Sequence, residues 1–238
     1  MVVVTVFVNP LQFGPSEDFA QYPRTFTKDV QLIRAAKANI VFAPRANALY
    51  PPGFKMRMHV GRLGMVWEGR VRPGHFRGVA TVVALLFELT RPTRAYFGQK
   101  DYQQTLVIRQ LVRDWQLPVR IVVCPTVRER DGLAMSSRNR YLRADERRQA
   151  RVVSRALREV RTRARQGMQE TRRLVAAMRR MVRAQPGVQL DYCAVVDEQT
   201  LAPITRLTGR AVVLIAARIG HTRLIDNMLV DAHNTPRR

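Results

Sequence analysis

The chain has 238 residues, 46% of them hydrophobic, which is enough to bury a sizeable core in one or two domains. Its longest apolar runs, 82–87 and 211–217, are far shorter than the ~20 residues of a membrane-spanning helix. The first ten residues lack the basic region and cleavage site of a signal peptide. These features predict a cytoplasmic protein with no membrane association.

The formal net charge of +23 raises the question of a nucleic-acid partner. The densest basic stretch, 143–167, places its arginines in helical turns shared with Ala, Val and Leu, and no aromatic residue is interleaved. This pattern favours the solvated face of an amphipathic helix. We therefore expect no specific nucleic-acid partner, while non-specific affinity for polyanions follows from charge alone.

The first half of the chain alternates predicted strands and helices. Residues 2–8 form a continuous apolar, β-branched run, which is typical of a strand buried on both faces of a parallel sheet. Asp101 is a plausible N-cap for the helix that follows it. The predicted elements in chain order are strand 2–8, helix 25–38, strand 40–44, an irregular stretch 45–75, helix 76–89, strand 94–98, helix 102–116 and strand 119–125.

The pattern changes after about residue 126. Two long Arg-rich helices are predicted over 144–166 and 170–185, followed by strands over 190–197, 211–219 and 222–230, and a frayed tail over 231–238. The sequence therefore predicts an α/β fold with a doubly wound parallel sheet over 1–126, and a smaller α+β domain over 127–238.

Three loops that follow predicted strands carry polar residues suited to ligand binding, because ligands of open α/β sheets bind beyond the carboxyl ends of strands. In the first loop, Asn9 and Gln12 could orient a neutral hydroxyl or a carboxylate. Their spacing fits an ordinary Asn-Pro turn equally well. The sequence leaves both interpretations open.

The second loop runs from Gly98 to Gln104. Gly98 permits close approach of a ligand, Lys100 could meet a phosphate, and the following helix N-terminus favours anions. Gln104 lies one turn into that helix. A capped helix start with a solvated lysine is the alternative.

The third loop spans 131–139. Its residues Ser136, Ser137 and Arg138 offer two hydroxyl groups and one guanidinium group to an anion, although an ordinary Ser/Asn turn would have the same composition. Together the three loops suggest an ATP site beside a small polar substrate. No paired motif is formed by the four histidines, which are His59, His75, His221 and His233, so no metal site of the His/Cys type is expected.

The same loops resemble those of the pantothenate synthetase (pantoate–β-alanine ligase) family in order and spacing. The likeness runs from residue 2 to about residue 230. Its matching stretches are 6-VFVNPLQFGPSEDF-19, 22-YPRT-25, 41-VFAP-44, 50-YPPG-53, 72-RPGHFRGVATVV-83, 96-YFGQKDYQQ-104, 125-PTVRERDGLAMSSRNRYL-142 and 223-RLIDN-227.

The resemblance implies a Rossmann-like, homodimeric enzyme that condenses pantoate with β-alanine. ATP, with Mg²⁺, is consumed as a substrate, and pantoyl adenylate is the intermediate. The resemblance places Gln12, Asn9 and Gln104 at pantoate and β-alanine, and assigns catalytic roles to Lys100, Ser136, Ser137 and Arg138. The implied ATP contacts are Gly98, Gln99, Lys100, Asp101, Val127, Met135, Ser136, Ser137 and Arg138. Arg72 and His75 lie in a matching motif without a defined role.

Two departures from the family pattern are visible. Gln99 stands where the family usually has Glu, and we expect a modest effect. The family's first strand and H-x-G-H motif are also missing from these residues. We therefore expect an incomplete sheet, poor solubility and little ligase activity of this exact chain. A non-catalytic module that binds nucleotide or pantoate is the alternative function.

Overall fold

The structure is a computed structural model that describes residues 1–15 and 17–232. His233 and most of the predicted frayed tail lie outside the described residues. The strands are β1 Val3–Thr5, β2 Ile40–Phe42, β3 Arg94–Gly98, β4 Arg120–Cys124, β5 Val188–Asp197, β6 Arg210–Ile219 and β7 Thr222–Asp231. The helices are α1 Phe26–Ala35, α2 Ala46–Leu49, α3 Glu68–Val71, α4 His75–Thr90, α5 Tyr102–Asp114, α6 Ala144–Arg165 and α7 Thr171–Arg183.

The chain divides into two compact units. Unit 1 comprises Met1–Tyr96 and Leu106–Val122, and unit 2 comprises Phe97–Thr105 and the described residues from Val123 onward. The domain boundary expected after residue 126 stays a prediction.

The four strands β1 to β4 are short and form two sheets of two strands each. β1 pairs in parallel with β2 in the register Val3 to Ile40, and β3 pairs with β4. The prediction that the first strand is buried on both faces is wrong, because no residue of β1 is buried. Among the described residues, β1 has only one neighbouring strand, β2. Helix α1, the next helix along the chain, also has no buried residue.

Helix α4 carries the main apolar packing of unit 1. Its Phe76 and Ala80 form a buried cluster with Val107 of α5. Met58 and Val60 pack against this cluster, so part of the stretch predicted to be irregular covers one face of α4. The helix begins after Gly74, whose backbone is left-handed (φ 85°), a conformation that glycine adopts without strain.

Unit 2 is built on the antiparallel sheet β5-β6-β7, against which α6 and α7 pack. Leu157, Leu174 and Ile215 lie in its core without measurable exposure. The arginine-rich helices are therefore amphipathic, as their sequence pattern predicts. The predicted α/β class with a C-terminal α+β part is confirmed. Asp101, the predicted N-cap of α5, is the last residue of a 3-10 turn that leads directly into this helix.

Candidate active site

The loop after β1 forms a 3-10 turn that ends at Gln12 and is organised by the buried side chain of Asn9. Asn9 Oδ1 accepts hydrogen bonds from the Leu11 amide (3.2 Å) and the Tyr50 hydroxyl (2.8 Å). Asn9 Nδ2 donates to Gln12 Oε1 (3.3 Å) and to the Gly78 carbonyl (3.0 Å). These bonds use two acceptor and two donor positions of the amide. Asn9 and Gln12 are thus brought together, with Asn9 holding the side chain of Gln12.

Helix α4 approaches the same turn through Gly78. A Cβ atom at this position would lie 2.2 Å from the Leu11 carbonyl oxygen and 2.6 Å from the Gln12 amide nitrogen. Such distances are far inside van der Waals contact, so only glycine allows the helix to lie directly against the turn.

A partly buried arginine and a buried histidine hold the carbonyl of Gln12. His75 Nδ1 lies 2.9 Å from Gln12 O, and Arg72 NH2 lies 3.4 Å from the same oxygen. Arg72 also donates to both carboxylate oxygens of Glu17, at 3.0 Å from Nε to Oε1 and 2.5 Å from NH2 to Oε2. Planar guanidinium–carboxylate pairs fix direction as well as distance. This arrangement orients Arg72 toward the turn.

The His75 ring is neutral at physiological pH. Burial and the neighbouring positive charge of Arg72 lower the pKa of His75 to about 4, although the Gln12 carbonyl, Glu17 and Glu68 oppose this shift. A carbonyl oxygen can only accept, so Nδ1 carries the proton. Nε2 then accepts from Arg72 NH1 at 3.3 Å.

The loop after β3 has the features expected of a phosphate contact. Gly98 is extended (φ −74°), and a Cβ atom there would meet no atom of the described residues within 4 Å. Lys100 and Asp101 follow in the 3-10 turn, with Nζ and Oδ1 3.5 Å apart. Gln104 lies in the first turn of α5. The start of a helix of this length supplies backbone N–H groups and a dipole favourable to anions.

The loop after β4 folds back on itself as a narrow hairpin. The Met135 amide donates to the Val127 carbonyl (2.9 Å), and the Glu129 amide donates to the Leu133 carbonyl (2.8 Å). Val127 and Met135 remain 62% and 56% exposed. Exposed apolar side chains beside polar groups are common features of small-molecule sites.

The hairpin leads into the serine-rich turn. Ser136 Oγ accepts from the Arg138 amide at 3.3 Å and caps the 3-10 turn Ser137–Tyr141. Two buried polar atoms near this loop, Thr126 Oγ1 and Asn139 Oδ1, have no hydrogen-bond partner among the described residues. Buried polar groups are nearly always satisfied, so these two atoms are exceptions within the described residues.

The predicted site residues fall into two groups. Asn9 and Gln12 belong to unit 1, whereas Gln104 and every residue implied to contact ATP belong to unit 2. Sequence reasoning missed Tyr50 and Glu17 as partners in the unit 1 group. Both lie in stretches that match the family, yet their hydrogen-bond partners are too distant in sequence for a local pattern to reveal them.

Among residues 1–15 and 17–232, no group of three His, Cys, Asp or Glu side chains is arranged to hold a metal ion. Within the same residues, no helix has both the length and the apolar character needed to cross a bilayer.

Comparison with known proteins gives a consistent result. The family described as pantoate-beta-alanine ligase matches residues 1–229. The pantothenate synthetase of Roseiflexus castenholzii is 54% identical over 231 residues, which cover 97% of this chain and 83% of that protein.

Solved structures agree with the sequence match. The pantothenate synthetase of Thermus thermophilus superposes with a TM-score of 0.93 at 50% identity, over 95% of this chain and 82% of that one. A Francisella tularensis pantoate-beta-alanine ligase complexed with beta-gamma ATP and beta-alanine gives a TM-score of 0.77 at 33% identity, over 96% of this chain and 78% of that one. The chain belongs to the pantoate–β-alanine ligase family.

Proposed function

We propose that this protein joins pantoate to β-alanine at the expense of ATP. A carboxylate oxygen of pantoate attacks the α-phosphorus of ATP, and pyrophosphate leaves. The β-alanine amine then attacks the carbonyl carbon of pantoyl adenylate, the amide bond forms, and AMP leaves. Family membership supports the overall reaction, and the ATP and β-alanine in the Francisella ligase support both substrate classes.

The observation that supports the assignment of residues is that the second loop, 98–104, and the third loop, 131–139, both belong to unit 2. We propose that Gly98, Gln99, Lys100 and Asp101 cradle the nucleotide, with Lys100 on the phosphates and Asp101 on the ribose. Mg²⁺ would arrive with ATP as part of the substrate. Preorganised positive charge here would stabilise negative charge as it moves onto the leaving pyrophosphate.

The hairpin completes the nucleotide side of the proposed site. Val127 and Met135 would lie along the nucleotide, and Ser136, Ser137 and Arg138 would grip the phosphates. A guanidinium group beside hydroxyl donors is well suited to phosphate oxygens.

On the pantoate side, we propose that Gln12 contacts the substrate while Asn9 holds it in place. Asn9 donates to Gln12 Oε1, so the Gln12 Nε2 group is the one that would donate to pantoate. Gln104 would contact pantoate from α5. Holding the two reactants in place supplies much of the rate acceleration in a reaction of this type.

The 238 residues contain no H-x-G-H pair, and this feature favours a second candidate function. We propose that adenylation by this chain is slow, because electrostatic stabilisation by charged or polar donors is commonly the largest catalytic contribution. The chain would then bind nucleotide or pantoate with little turnover. We further propose a homodimer, which is what the resemblance implies, and a location in the cytoplasm, which the sequence features predict.

The deciding experiment measures AMP released by the 238-residue chain from ATP, Mg²⁺ and pantoate, with and without β-alanine. β-Alanine-dependent AMP at an enzyme-like rate would support the ligase and contradict the proposed slow adenylation. Absence of AMP together with saturable ATP binding would support the binding module. Activity gained when the chain is fused to a strand and H-x-G-H segment would assign the missing step to those histidines. A chain that releases no AMP and binds neither ATP nor pantoate would contradict both functions.

A further inference from the structure

Two neighbouring residues of β7 contact both proposed nucleotide-binding loops. Asp226 and Asn227 are only 4% and 3% exposed, although both are polar. Successive side chains on a strand leave opposite faces, so two adjacent residues can serve two different loops. β7 packs against the 3-10 turns Gln99–Asp101 and Ser137–Tyr141, one in each loop region.

Asn227 binds the first loop through its side-chain amide. Its Nδ2 atom donates to the carbonyl oxygens of Gln99 (2.9 Å) and Lys100 (2.8 Å). Its Oδ1 atom accepts from Gln99 Nε2 at 3.3 Å. Because Nδ2 is the only donor group in this side chain, the two carbonyls fix how the amide is turned. The backbone that carries Lys100 is thereby tied to β7.

Asp226 binds the second loop through a two-pronged ion pair. Its Oδ2 lies 2.7 Å from Arg128 NH1, and its Oδ1 lies 3.1 Å from Arg128 NH2. Arg128 NH1 also donates to the Gly132 carbonyl at 3.2 Å, across the tip of the hairpin. Arg128 directly follows Val127, so this ion pair fixes the hairpin at its base and its tip. A buried carboxylate needs such a partner, because an unpaired buried charge is strongly destabilising.

A second ion pair secures the hairpin from α6. Arg147 contacts Glu129, and its NH2 atom lies 3.1 Å from Asp131 Oδ2. The hydrogen bond with Glu129 raises the pKa of Arg147 above its ordinary value. The hairpin thus keeps one attachment when the other is removed, and loss of Asp226 alone should shift the loop without unfolding unit 2.

We propose that Asp226 and Asn227 are positioning residues that hold the two proposed nucleotide-binding loops in fixed positions on β7. Neither residue touches ATP in this scheme. Asn227 sets the place of Lys100, Asp226 sets the place of Val127 and of the turn that follows Met135, and ATP binds tightly only when both loops are in place. The inference rests on the proposed function, because it needs both loops to bind nucleotide.

The test compares two single variants with a double variant in which the two residues are swapped. Asn227→Asp keeps the shape of the side chain but turns an oxygen toward the two carbonyls of the first loop. Asp226→Asn keeps the shape but removes the charge that pairs with Arg128. The double variant Asp226→Asn/Asn227→Asp has the same composition and charge as the wild type with the two roles reversed. Asp191→Asn is the matched control, because it breaks an ion pair of the same sheet with Arg223.

Each variant is titrated with ATP and Mg²⁺, and its backbone amide exchange is measured without ligand. For Asn227→Asp and Asp226→Asn we expect the Kd for ATP to rise roughly tenfold or more, as the loss of one or two buried hydrogen bonds predicts. Exchange should accelerate over 98–101 in Asn227→Asp and over 127–135 in Asp226→Asn. The double variant should be no better than either single one, and Asp191→Asn should match the wild type.

If Asp226→Asn fails to fold, Arg128→Lys tests the same attachment from the more exposed partner, because a lysine cannot form the two-pronged pair. Wild-type affinity for ATP in both single variants, or unchanged exchange in both loops, would overturn the inference while leaving the proposed function intact. A wild-type chain that binds no ATP would instead overturn the proposed function, and this inference with it.

Discussion

His75 Nδ1 lies 2.9 Å from the carbonyl oxygen of Gln12, the residue that we propose contacts pantoate. This hydrogen bond requires a proton on Nδ1, and the Arg72 contact requires a lone pair on Nε2. Only a neutral ring satisfies both neighbours. The contact therefore links the protonation state of one buried histidine to the backbone of the proposed substrate-binding turn.

The first prediction concerns the pH dependence of stability. The pKa of His75 falls from 6.5 to about 4 on folding, so the unfolded chain binds this proton more readily. His75 stabilises the fold fully above pH 6.5, and that contribution is lost as the pH falls toward 4. From the size of this pKa shift, the full loss in free energy of unfolding is about 3 kcal/mol. Thermal or urea unfolding between about pH 4 and 7 measures it.

The matched variant for this measurement is His75→Asn, whose amide can still donate to the Gln12 carbonyl but does not titrate in this range. All other groups titrate in both proteins. The difference between the two proteins in free energy of unfolding, followed against pH, therefore reports the contribution of His75 alone. We expect the wild type to lose more stability than the variant between pH 6.5 and 4. Parallel pH profiles would contradict a neutral, buried His75.

The second prediction concerns Arg72 and its effect on pantoate. Arg72→Lys keeps the charge but loses the two-pronged pair with Glu17, so the support beneath Gln12 should loosen. We expect the Kd for pantoate to rise about tenfold, equivalent to ~1.4 kcal/mol, with the Kd for ATP unchanged. Calorimetric titration of each ligand separately makes the measurement.

Arg91→Lys is a suitable control for this substitution, because Arg91 pairs with Glu88 on the exposed surface of the same unit. Exposed ion pairs contribute little to stability. Weaker binding of both ligands by Arg72→Lys would indicate general destabilisation and would argue against a specific role at Gln12.

Local sequence pattern predicts elements well where packing is local. Helix 76–89 is observed as His75–Thr90, because most of its residues are apolar and two residues with left-handed backbone, Gly74 and Arg91, bound it. The run 2–8 is different. It shortens to Val3–Thr5, because the extent and burial of a strand depend on neighbouring strands that a local run cannot specify.

The candidate site shows the same difference between features that local sequence predicts and features that depend on distant contacts. Loop composition makes Gln12 and Lys100 candidate ligand contacts, since the residue types suit the chemistry. What holds these residues cannot be predicted locally: Asn9 meets Gly78 at a separation of 69 residues, and Asn227 meets Lys100 at 127. Such contacts arise only when the chain has folded, so the supporting residues are visible only in the structure.

The third prediction is that Gly78→Ala destabilises unit 1, although alanine normally favours a helix by about 1 kcal/mol over glycine. The new Cβ would lie 2.2 Å from the Leu11 carbonyl oxygen, which is backbone and cannot turn aside. Overpacking of this kind costs ~1–3 kcal/mol and should displace Gln12. We expect a lower midpoint of thermal unfolding together with weaker pantoate binding. Equal or greater stability would show that the helix and the turn are not in direct contact.

The fourth prediction separates a ligand contact from a structural requirement at Gly98. Its φ of −74° suits any residue, and a Cβ atom there would meet nothing among the described residues within 4 Å. Gly98→Ala should therefore leave stability unchanged or slightly raised, because the unfolded chain loses some freedom. If ATP lies against this backbone, the added methyl group should nevertheless raise the Kd for ATP about tenfold or more, since a ligand packed on glycine has no room for it.

Gly209→Ala provides the comparison for Gly98→Ala, because a Cβ at Gly209 also meets nothing among the described residues within 4 Å and this residue lies outside the proposed loops. Both variants should unfold at the temperature of the wild type or slightly above it, and only Gly98→Ala should bind ATP weakly. Undiminished affinity in Gly98→Ala would remove Gly98 from the proposed nucleotide contacts. Lowered stability with weak binding would show instead that Gly98 has a structural role, because the space around its Cα would then be occupied by the protein itself.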